Sequence, residues 1–425
     1  MAIRIATARP RIRADRVTED VAPARAGPRP IVRAVIGFVV GAWLCWQIAA
    51  AGVAALAVRS GDRGLLAATA TAAHPEAGSM MAEATLGGGD AAGAARIART
   101  VVLADPTNDR ALRVLGLATE QLGDRAAGAR LMRQAGGLGW RDTLTQVWVL
   151  RDAATRNDMT AVMERTDALA RRNRLPDLTR AIFFAALADP QMRAAFADRL
   201  AKRPTWRIGF FADVRQRLPA SLAAGMEALL DDLHAAHRDV TTGEQLDYID
   251  RLVDLAEFRR ARTRWAVAFG IRPASLTATP YDRDFERVAS RPADRPASQF
   301  EWSLNPDTGG AVTFGGSRGS ALVIPAGLAD GTMLATQLMI LAPGTHALTA
   351  RIDGDPAAAA AAWRITCLPS GQDVARGLPH GVDDELSAVT FDVPDGAGCR
   401  AQRLTLAARD RPAGPAASVV AVAID

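Results

Sequence analysis

The pattern of apolar and polar positions divides the chain into segments of different character. Residues 34–58 form an apolar run without a charged side chain. From residue 59 to 270, apolar residues largely recur at the i, i+3, i+4 and i+7 spacing of amphipathic helices. Residues 271–299 carry several Pro and Ser without an apolar period, and short alternating segments follow from residue 300. We therefore predict a multidomain α plus β protein with a basic, disordered tail over 1–33, a transmembrane helix over 34–58, a helical region over 59–270, a linker over 271–299 and a β domain over 300–425.

The apolar run over 34–58 is long enough, at about 1.5 Å per residue, to cross a bilayer with some tilt. Positive charge is heavier before the run than after it, because Arg25, Arg29 and Arg33 precede it while Asp62 partly balances the Arg residues that follow. By the positive-inside rule, the tail stays in the cytoplasm and the body from residue 59 lies across the membrane. Two alternatives are a signal peptide cleaved near Ala55-Leu56-Ala57 and a buried core helix.

A period of 34 residues appears at the start of the helical region. The segments GDAAGAAR (89–96), GDRAAGAR (123–130) and NDMTAVME (157–164) stand in register. Asp90, Asp124 and Asp158 each follow a Gly or Asn and precede small or apolar residues. Since Asp accepts hydrogen bonds from the first turn of a helix, we predict that all three cap helices rather than act as catalytic acids.

Small residues recur at matching offsets in the first two repeats. Two antiparallel helices approach closely only where their side chains are short. The predicted packing positions are Ala82 and Gly116 in the first helix of each pair, and Ala94, Ala98 and Gly128 in the second. The third repeat has lost this signal, since Leu150 and Val162 occupy the equivalent positions.

This pattern resembles the tetratricopeptide repeat, most clearly over residues 75–140. The resemblance implies a right-handed α-solenoid of about six TPR-like helix pairs over residues 62–270. It also implies a concave surface that binds protein partners, as a scaffold or adaptor does. The Lys, Asn and Arg residues of the family's carboxylate clamp cannot be placed in this sequence.

Eight short segments after residue 300 predict strands, separated by turn residues such as Pro343-Gly344. They cover residues 310–315, 320–325, 332–341, 346–353, 363–369, 387–393, 399–408 and 418–425. We predict an antiparallel β-sandwich of jelly-roll type.

The hairpin LMILAPGTHALTARIDG (338–354) resembles that of β-sandwich domains related to carbohydrate-binding modules. The resemblance implies exposed aromatic rings that stack on sugars. Trp302 is the leading candidate for a glycan contact, and Phe300, Phe314 and Trp363 are further candidates. For each of these rings, a place in the apolar core is the alternative.

Charge and composition argue against a nucleic-acid partner. Residues 1–33 hold eight Arg and three acidic residues, which accounts for the whole net charge of +5. The rest of the chain is formally neutral and is a poor match for a phosphate backbone.

Metal, cofactor and catalytic patterns are absent from the sequence. The five His form no cluster, and the i, i+3 pair His234 and His237 lacks a third ligand, so a solvated helix face is the simpler reading. The segment GGSRGSA (315–321) has no P-loop lysine, and no GxSxG is present. The segments DRDFE (282–286) and VDDE (382–385) bring carboxylates together, as a glycosidase requires. Charged runs in loops are more often simply solvated, and we favour that interpretation for both segments. Cys367 and Cys399 either form a disulfide bond in an oxidising compartment or remain two thiols.

The layout of anchor, repeats and β-sandwich resembles bitopic envelope proteins of Gram-negative bacteria, often associated with exopolysaccharide assembly or export. We expect a non-enzymatic, single-pass protein of the bacterial inner membrane, with its body in the periplasm. Its helical region would bind protein, and its β domain would contact polysaccharide or a second partner. The alternatives are a glycan-modifying enzyme with a site between the two regions and a purely structural envelope protein.

Overall fold

The structure is a computed structural model that describes residues 30–425, with gaps at 71–72, 239, 293, 306, 308–311, 317–318, 325–327, 354–360, 378–379, 384–385 and 409–416. Most of the predicted tail therefore lies outside the described residues. The described part forms two compact units, one ending at Thr145 and the other beginning at Gln146. The described residues combine helices in the N-terminal part with antiparallel sheets in the C-terminal part.

The first unit begins with a long apolar helix, α1 (Pro30–Ser60). Its segment Gly37–Ser60 is long and apolar enough to cross a membrane, judged by length and composition. Large apolar side chains such as Phe38 and Trp46 are exposed along it. Near its end the helix becomes part of the unit, because Ala57 is buried against Leu66 and Ala77 of the next two helices.

The described residues of the first unit contain five further complete helices. They are α2 (Arg63–Thr69), α3 (Pro75–Gly87), α4 (Ala91–Ala104), α5 (Asp109–Gln121) and α6 (Arg125–Leu138). From α3 to α6 each helix contacts the next, and α3 also contacts α5. The resulting core consists of Ala and a few aliphatic side chains. The next helix, α7 (Thr143–Thr155), contains the boundary between the units.

The second unit continues with helices of similar length. They are α8 (Met159–Arg171), α9 (Pro176–Ala188), α10 (Pro190–Leu200), α11 (Arg207–Arg217), α12 (Ala223–Ala235), α13 (Thr242–Asp254) and α14 (Phe258–Ala268). Contacts between alternate helices recur, since α8 packs on α10, α9 on α11, α10 on α12 and α11 on α13. This part of the chain is therefore a helical repeat-like region, which agrees with the helical rhythm of the sequence.

The segment after α14 contains a short helix, α15 (Glu286–Ser290), and is tied to the C-terminal strands by hydrogen bonds. The backbone N–H of Ile424 donates to the carbonyl of Thr279 at 2.8 Å, and that of Val422 donates to Arg283 at 2.9 Å. The buried amide of Gln337 donates to the carbonyls of Tyr281 and Phe300. These bonds fix the segment against the sheets along much of its length.

All eight predicted strands are present, and the described residues contain three further short strands that the alternation did not reveal. The strands are β1 (Ser303–Leu304), β2 (Val312–Gly316), β3 (Gly319–Ile324), β4 (Met333–Met339), β5 (Gly344–Asp353), β6 (Ala361–Pro369), β7 (Asp373–Gly377), β8 (His380–Asp383), β9 (Leu386–Val393), β10 (Cys399–Ala408) and β11 (Ala417–Ile424). β1 and β8 have too few residues for a period of two to be visible, and in β7 the apolar residues Val374 and Ala375 are adjacent instead of alternating.

The strands form a sheet of order β1-β4-β10-β6-β7 and a sheet of order β2-β3-β11-β5-β9-β8. The paired strands in the described residues are antiparallel, for example β10 with both β4 and β6. Side chains from both sheets, including Trp363 and Leu348, share one apolar core. The first sheet also packs on the helices, because Leu338 and Ala401 belong to the same core as Trp265 of α14.

Candidate functional site

Three aspartates predicted from the 34-residue period stand at the N-termini of α4, α6 and α8. Each carboxylate accepts a hydrogen bond from the backbone N–H three residues later. The pairs are Asp90–Gly93 at 2.7 Å, Asp124–Ala127 at 2.9 Å and Asp158–Ala161 at 3.0 Å. This is the geometry of helix N-caps, in which the carboxylate satisfies an amide that would otherwise lack a partner.

The residue before each of these aspartates has a positive φ angle. The values are 89° at Gly89, 104° at Gly123 and 57° at Asn157. Only Gly and, less readily, Asn adopt this conformation at low cost. The Gly-Asp and Asn-Asp dipeptides therefore repeat because each turn needs one residue that adopts a positive φ angle and a second residue that caps the next helix.

The small residues of the first two repeats lie where two helices meet at very short distance. Ala82, Ala94 and Ala98 are completely buried. A Cβ atom on Gly128 would lie 2.8 Å from the carbonyl oxygen of Gly116. Because that atom belongs to the backbone of α5, no larger side chain fits without separating α5 from α6.

A further close approach, at Gly225 of α12, was not among the predicted packing positions. A Cβ atom there would collide with the backbone carbonyl of Leu187 in α9. The sequence signal is a single Gly inside the apolar run AAGMEALL (223–230), which lies outside the 34-residue register of the first repeats.

Ion pairs join helices of the second unit at sequence separations close to the length of one repeat. Arg260 makes two hydrogen bonds to Glu227 at 2.7 and 2.9 Å, and Arg264 contacts Asp231 at 2.6 Å, both between α14 and α12. Further pairs of this kind are Arg199–Glu164, Arg180–Asp213, Arg207–Glu244 and Arg215–Asp250. These pairs hold alternate helices side by side in a fixed register.

Leu175 and Ile208 are among the exposed apolar side chains of this region. Leu175, the residue before α9, is 44% exposed, and Ile208 in the first turn of α11 is 81% exposed. They are separated by 33 residues, as are Arg180 and Asp213, whose side chains join α9 to α11. Exposed aliphatic residues at one repeat offset are the feature expected of a protein-binding surface on stacked helices.

The structure overturns the prediction that Trp302 contacts glycan. The side chain of Trp302 is 0% exposed, and its indole N–H donates to the carbonyl of Asp282 at 3.0 Å. Its ring packs on Phe285, with the ring centres 5.3 Å apart. A ring enclosed in this way has no face on which a sugar could stack.

The other aromatic candidates of the two-sheet region give the same picture. Phe300 and Trp363 are buried, and so is Phe391. The side chain of Phe314 lies outside the described residues. Among the aromatic side chains that the structure describes in residues 300–425, none is exposed.

Cys367 and Cys399 form a disulfide bond between β6 and β10, with their Cα atoms 4.6 Å apart. Both residues are buried. Cys399 begins β10, so the bond anchors this strand and the turn before it to the neighbouring strand.

A cavity of about 280 Å³ lies where the turn between α13 and α14 meets two loops of the sheets. Phe258, Leu341, Pro343 and Pro394 supply apolar walls. Four charged side chains, Glu257, Arg259, Asp395 and Arg400, also line the cavity, and all four are exposed.

Buried titratable groups in the second unit have structural partners. Burial raises the pKa of Asp282 above its usual range, while hydrogen bonds from the backbone N–H groups of Arg287 and Val288 act in the opposite direction. Burial also raises the pKa of Tyr248, whose hydroxyl donates to the carbonyl of Ala223 at 2.9 Å. The first carboxylate of the DRDFE segment thus shapes the start of α15.

The described residues contain no group of three or more His, Cys, Asp or Glu arranged to hold a metal ion. His234 and His237 line a second cavity of about 370 Å³ together with Arg238 and Arg264. The VDDE segment lies partly outside the described residues. No protein-family model matches the chain, and no curated protein matches it either.

Proposed function

We propose that this protein is a non-enzymatic, membrane-anchored scaffold whose helical region binds a protein partner. In this proposal the helices form a TPR-like solenoid and the two sheets form a jelly-roll-type β-sandwich. The ion pairs at repeat-length separation support the solenoid, since stacking of successive repeats brings such residues together. The shared apolar core supports the sandwich.

The exposed pair Leu175 and Ile208 is the observation that carries the binding function. Both side chains present apolar surface at one repeat offset, whereas Phe183 of α9 and Phe210 of α11 are buried. Isolated exposed leucines are common on protein surfaces. What favours a binding surface is that Leu175 at the start of α9 and Ile208 in the first turn of α11 are exposed at a separation of one repeat length.

The proposed location is the bacterial inner membrane, with the body in the periplasm. The helix α1 supplies the anchor, and the Cys367–Cys399 disulfide supports an oxidising compartment. The layout resembles envelope proteins associated with exopolysaccharide assembly or export, and this is the pathway that we propose. The buried aromatic rings favour a second protein contact over a glycan contact for the β-sandwich.

The test is affinity capture by the full chain in detergent from an envelope extract of the source organism. We expect a specific protein to bind the unchanged chain and to be lost with the double variant Leu175→Glu/Ile208→Glu. Val267→Glu is the matched control, because Val267 is also exposed but lies on α14. Capture that is equal for all three chains, or no specific protein at all, would overturn the proposed binding surface. A parallel arm with extracellular polysaccharide tests the glycan alternative.

A further inference from the structure

The cavity between the α13–α14 turn and the sheets combines apolar walls with two cationic side chains. Phe258 and Leu341 form part of its lining, and Pro343 and Pro394 add rigid apolar surface without side-chain donors. Arg259 and Arg400 approach it from the helix and from the sheet. Ligand sites in proteins are commonly apolar cavities at the junction of two substructures, with a few polar groups that fix orientation.

The sheet side of the cavity is held in place by a buried network. The amide of Gln402 is fully buried; its oxygen accepts from the backbone N–H of Leu341 at 2.8 Å, and its nitrogen donates to the carbonyl of Cys399 at 3.2 Å. The disulfide bond to Cys367 fixes the same Cys399. Leu341 and the Cys399 end of the loop that contains Pro394 are therefore both tied to β10, which makes this wall rigid.

The two arginines have cationic groups available to a ligand. Within the part of the chain that the structure describes, neither Arg259 of α14 nor Arg400 of β10 forms an ion pair. Arg260 and Arg264, which also lie on α14, both do. The guanidinium carbon of Arg400 lies 5.9 Å from the centre of the Phe258 ring. This contact holds the charge beside the apolar wall, where an anion with an apolar substituent would meet both.

We propose that this cavity binds a carboxylate that carries one apolar substituent of about the size of a leucine or phenylalanine side chain. The carboxylate would accept hydrogen bonds from Arg259 and Arg400, and the substituent would lie against Phe258, Leu341 and the two prolines. The volume of 280 Å³ is near the lower end of the roughly 300–1,000 Å³ of ligand pockets, so a single substituent fills it.

The remaining two charged groups favour a ligand that also has an N–H group. Glu257 and Asp395 line the same cavity and can only accept hydrogen bonds when ionised. An N-acylated amino acid supplies a carboxylate, an apolar side chain and an N–H donor together. This chemistry occurs both in free acylated amino acids and in the C-terminal residue of a polypeptide.

The test is isothermal titration calorimetry on the full chain in detergent with N-acetylleucine and N-acetylphenylalanine. We expect saturable binding of at least one of them, and roughly tenfold weaker binding of its uncharged amide, because charge-assisted hydrogen bonds are lost. Acetate, which lacks the apolar group, should also bind roughly tenfold more weakly. The tetrapeptides Ala-Ala-Ala-Leu and Ala-Ala-Ala-Phe distinguish the two sources: affinity at least equal to that of the binding acetylated amino acid indicates a polypeptide terminus, and weaker affinity indicates a free acid.

Matched variants locate the binding. Arg400→Gln and Arg259→Gln should each weaken binding of the acetylated amino acid by roughly tenfold, and both arginines are exposed. Arg272→Gln, an exposed arginine that does not line the cavity, should leave the affinity unchanged. Absence of saturable binding, equal binding of the amides, or equal affinity of the Arg400 and Arg272 variants would each overturn the proposal.

Discussion

The hairpins α3–α6 of the first unit and the helices α8–α14 of the second follow a similar repeat length but are held together differently. Between α5 and α6 the backbones almost touch at Gly116 and Gly128, and the core around them consists largely of Ala and aliphatic residues. In the second unit, large rings such as Phe183, Phe196 and Phe210 fill the space between helices.

The comparison shows that one repeat length is compatible with two ways of setting the distance between helices. Where side chains are absent, the backbones themselves set the distance, and the sequence must keep Gly or Ala at fixed offsets. Where rings fill the gap, many combinations of large residues give similar packing, so the pattern loses its fixed offsets. Ion pairs such as Arg260–Glu227 then maintain the register.

The largest expected effect is on the ring-filled core. Phe196→Ala removes a fully buried ring that stacks on Phe183 at 4.9 Å, and we expect a loss of about 4 kcal/mol in the free energy of unfolding of the second unit. Hydrogen exchange measured by mass spectrometry on the full chain in detergent would report it as reduced protection of α9–α11. Ile208→Ala, at an exposed position of α11, is the control and should leave protection unchanged. Equal loss in both variants would contradict the assignment of this core.

The buried ion pair of the second unit comes next. Arg207 and Glu244 are both buried and joined by two hydrogen bonds. Arg207→Met leaves the carboxylate buried without its cation, and we expect a loss of about 3 kcal/mol. Arg215 is more exposed and pairs with Asp254. Its replacement by Met should lower the free energy of unfolding by less than about 1 kcal/mol.

Urea unfolding followed by tryptophan fluorescence would measure this difference. Adding Glu244→Gln to Arg207→Met should restore part of the lost stability, because it removes the buried charge and keeps an oxygen for the cap at Thr241. A double variant as unstable as Arg207→Met alone would show that charge burial is not the cause.

The close contact between α5 and α6 leaves no room for a side chain at Gly128. Gly128→Leu places a side chain against the backbone of α5, and we expect a loss of about 2 kcal/mol and exposure of the α5–α6 amides to exchange. Gly137→Ala lies in the same helix but meets open space, so it should be neutral or stabilise by up to about 1 kcal/mol. If Gly137→Ala proved as damaging as Gly128→Leu, loss of glycine in α6 rather than contact distance would be responsible.

The smallest effect concerns the caps. Asp124→Ala should cost about 1 kcal/mol, because the amide of Ala127 loses its acceptor, whereas Asp124→Asn should cost much less. Exchange rates of the first-turn amides of α6 would measure the change. Equal rates in the Ala and Asn variants would mean that the carboxylate does not stabilise the helix as a cap.

The same difference explains how much of the fold was predictable. The period that contains Asp90 and Asp124 is visible in the sequence because each cap requires a residue such as Asp, and each close contact requires Gly or Ala. Gly225 makes an equally close contact but stands alone, so no period reveals it. The strands of the C-terminal region were predictable by alternation, except where a strand such as β1 has only two residues.

The candidate sites were less predictable, because they depend on contacts between distant residues. The resemblance to carbohydrate-binding modules suggested Trp302 as an exposed ring, but its indole N–H donates to the backbone carbonyl of Asp282 in a segment that the sequence presented as a linker. The cavity beside Phe258 is built from three segments that are far apart in sequence. Nothing in the local pattern of any one of them indicates that they meet.

The connection between α1 and the first hairpins has a mechanical consequence. Only Gly61 and Asp62 separate α1 from α2, Asp62 caps α2, and Ala57 of α1 is buried against Ala77 of α3. Because the connection is short and packed, α2 and α3 should move together with α1. A tilt of α1 should therefore turn these two helices through a comparable angle. If α1 crosses the membrane as proposed, a change in bilayer thickness that alters its tilt would therefore be transmitted as rotation of the helices attached to it.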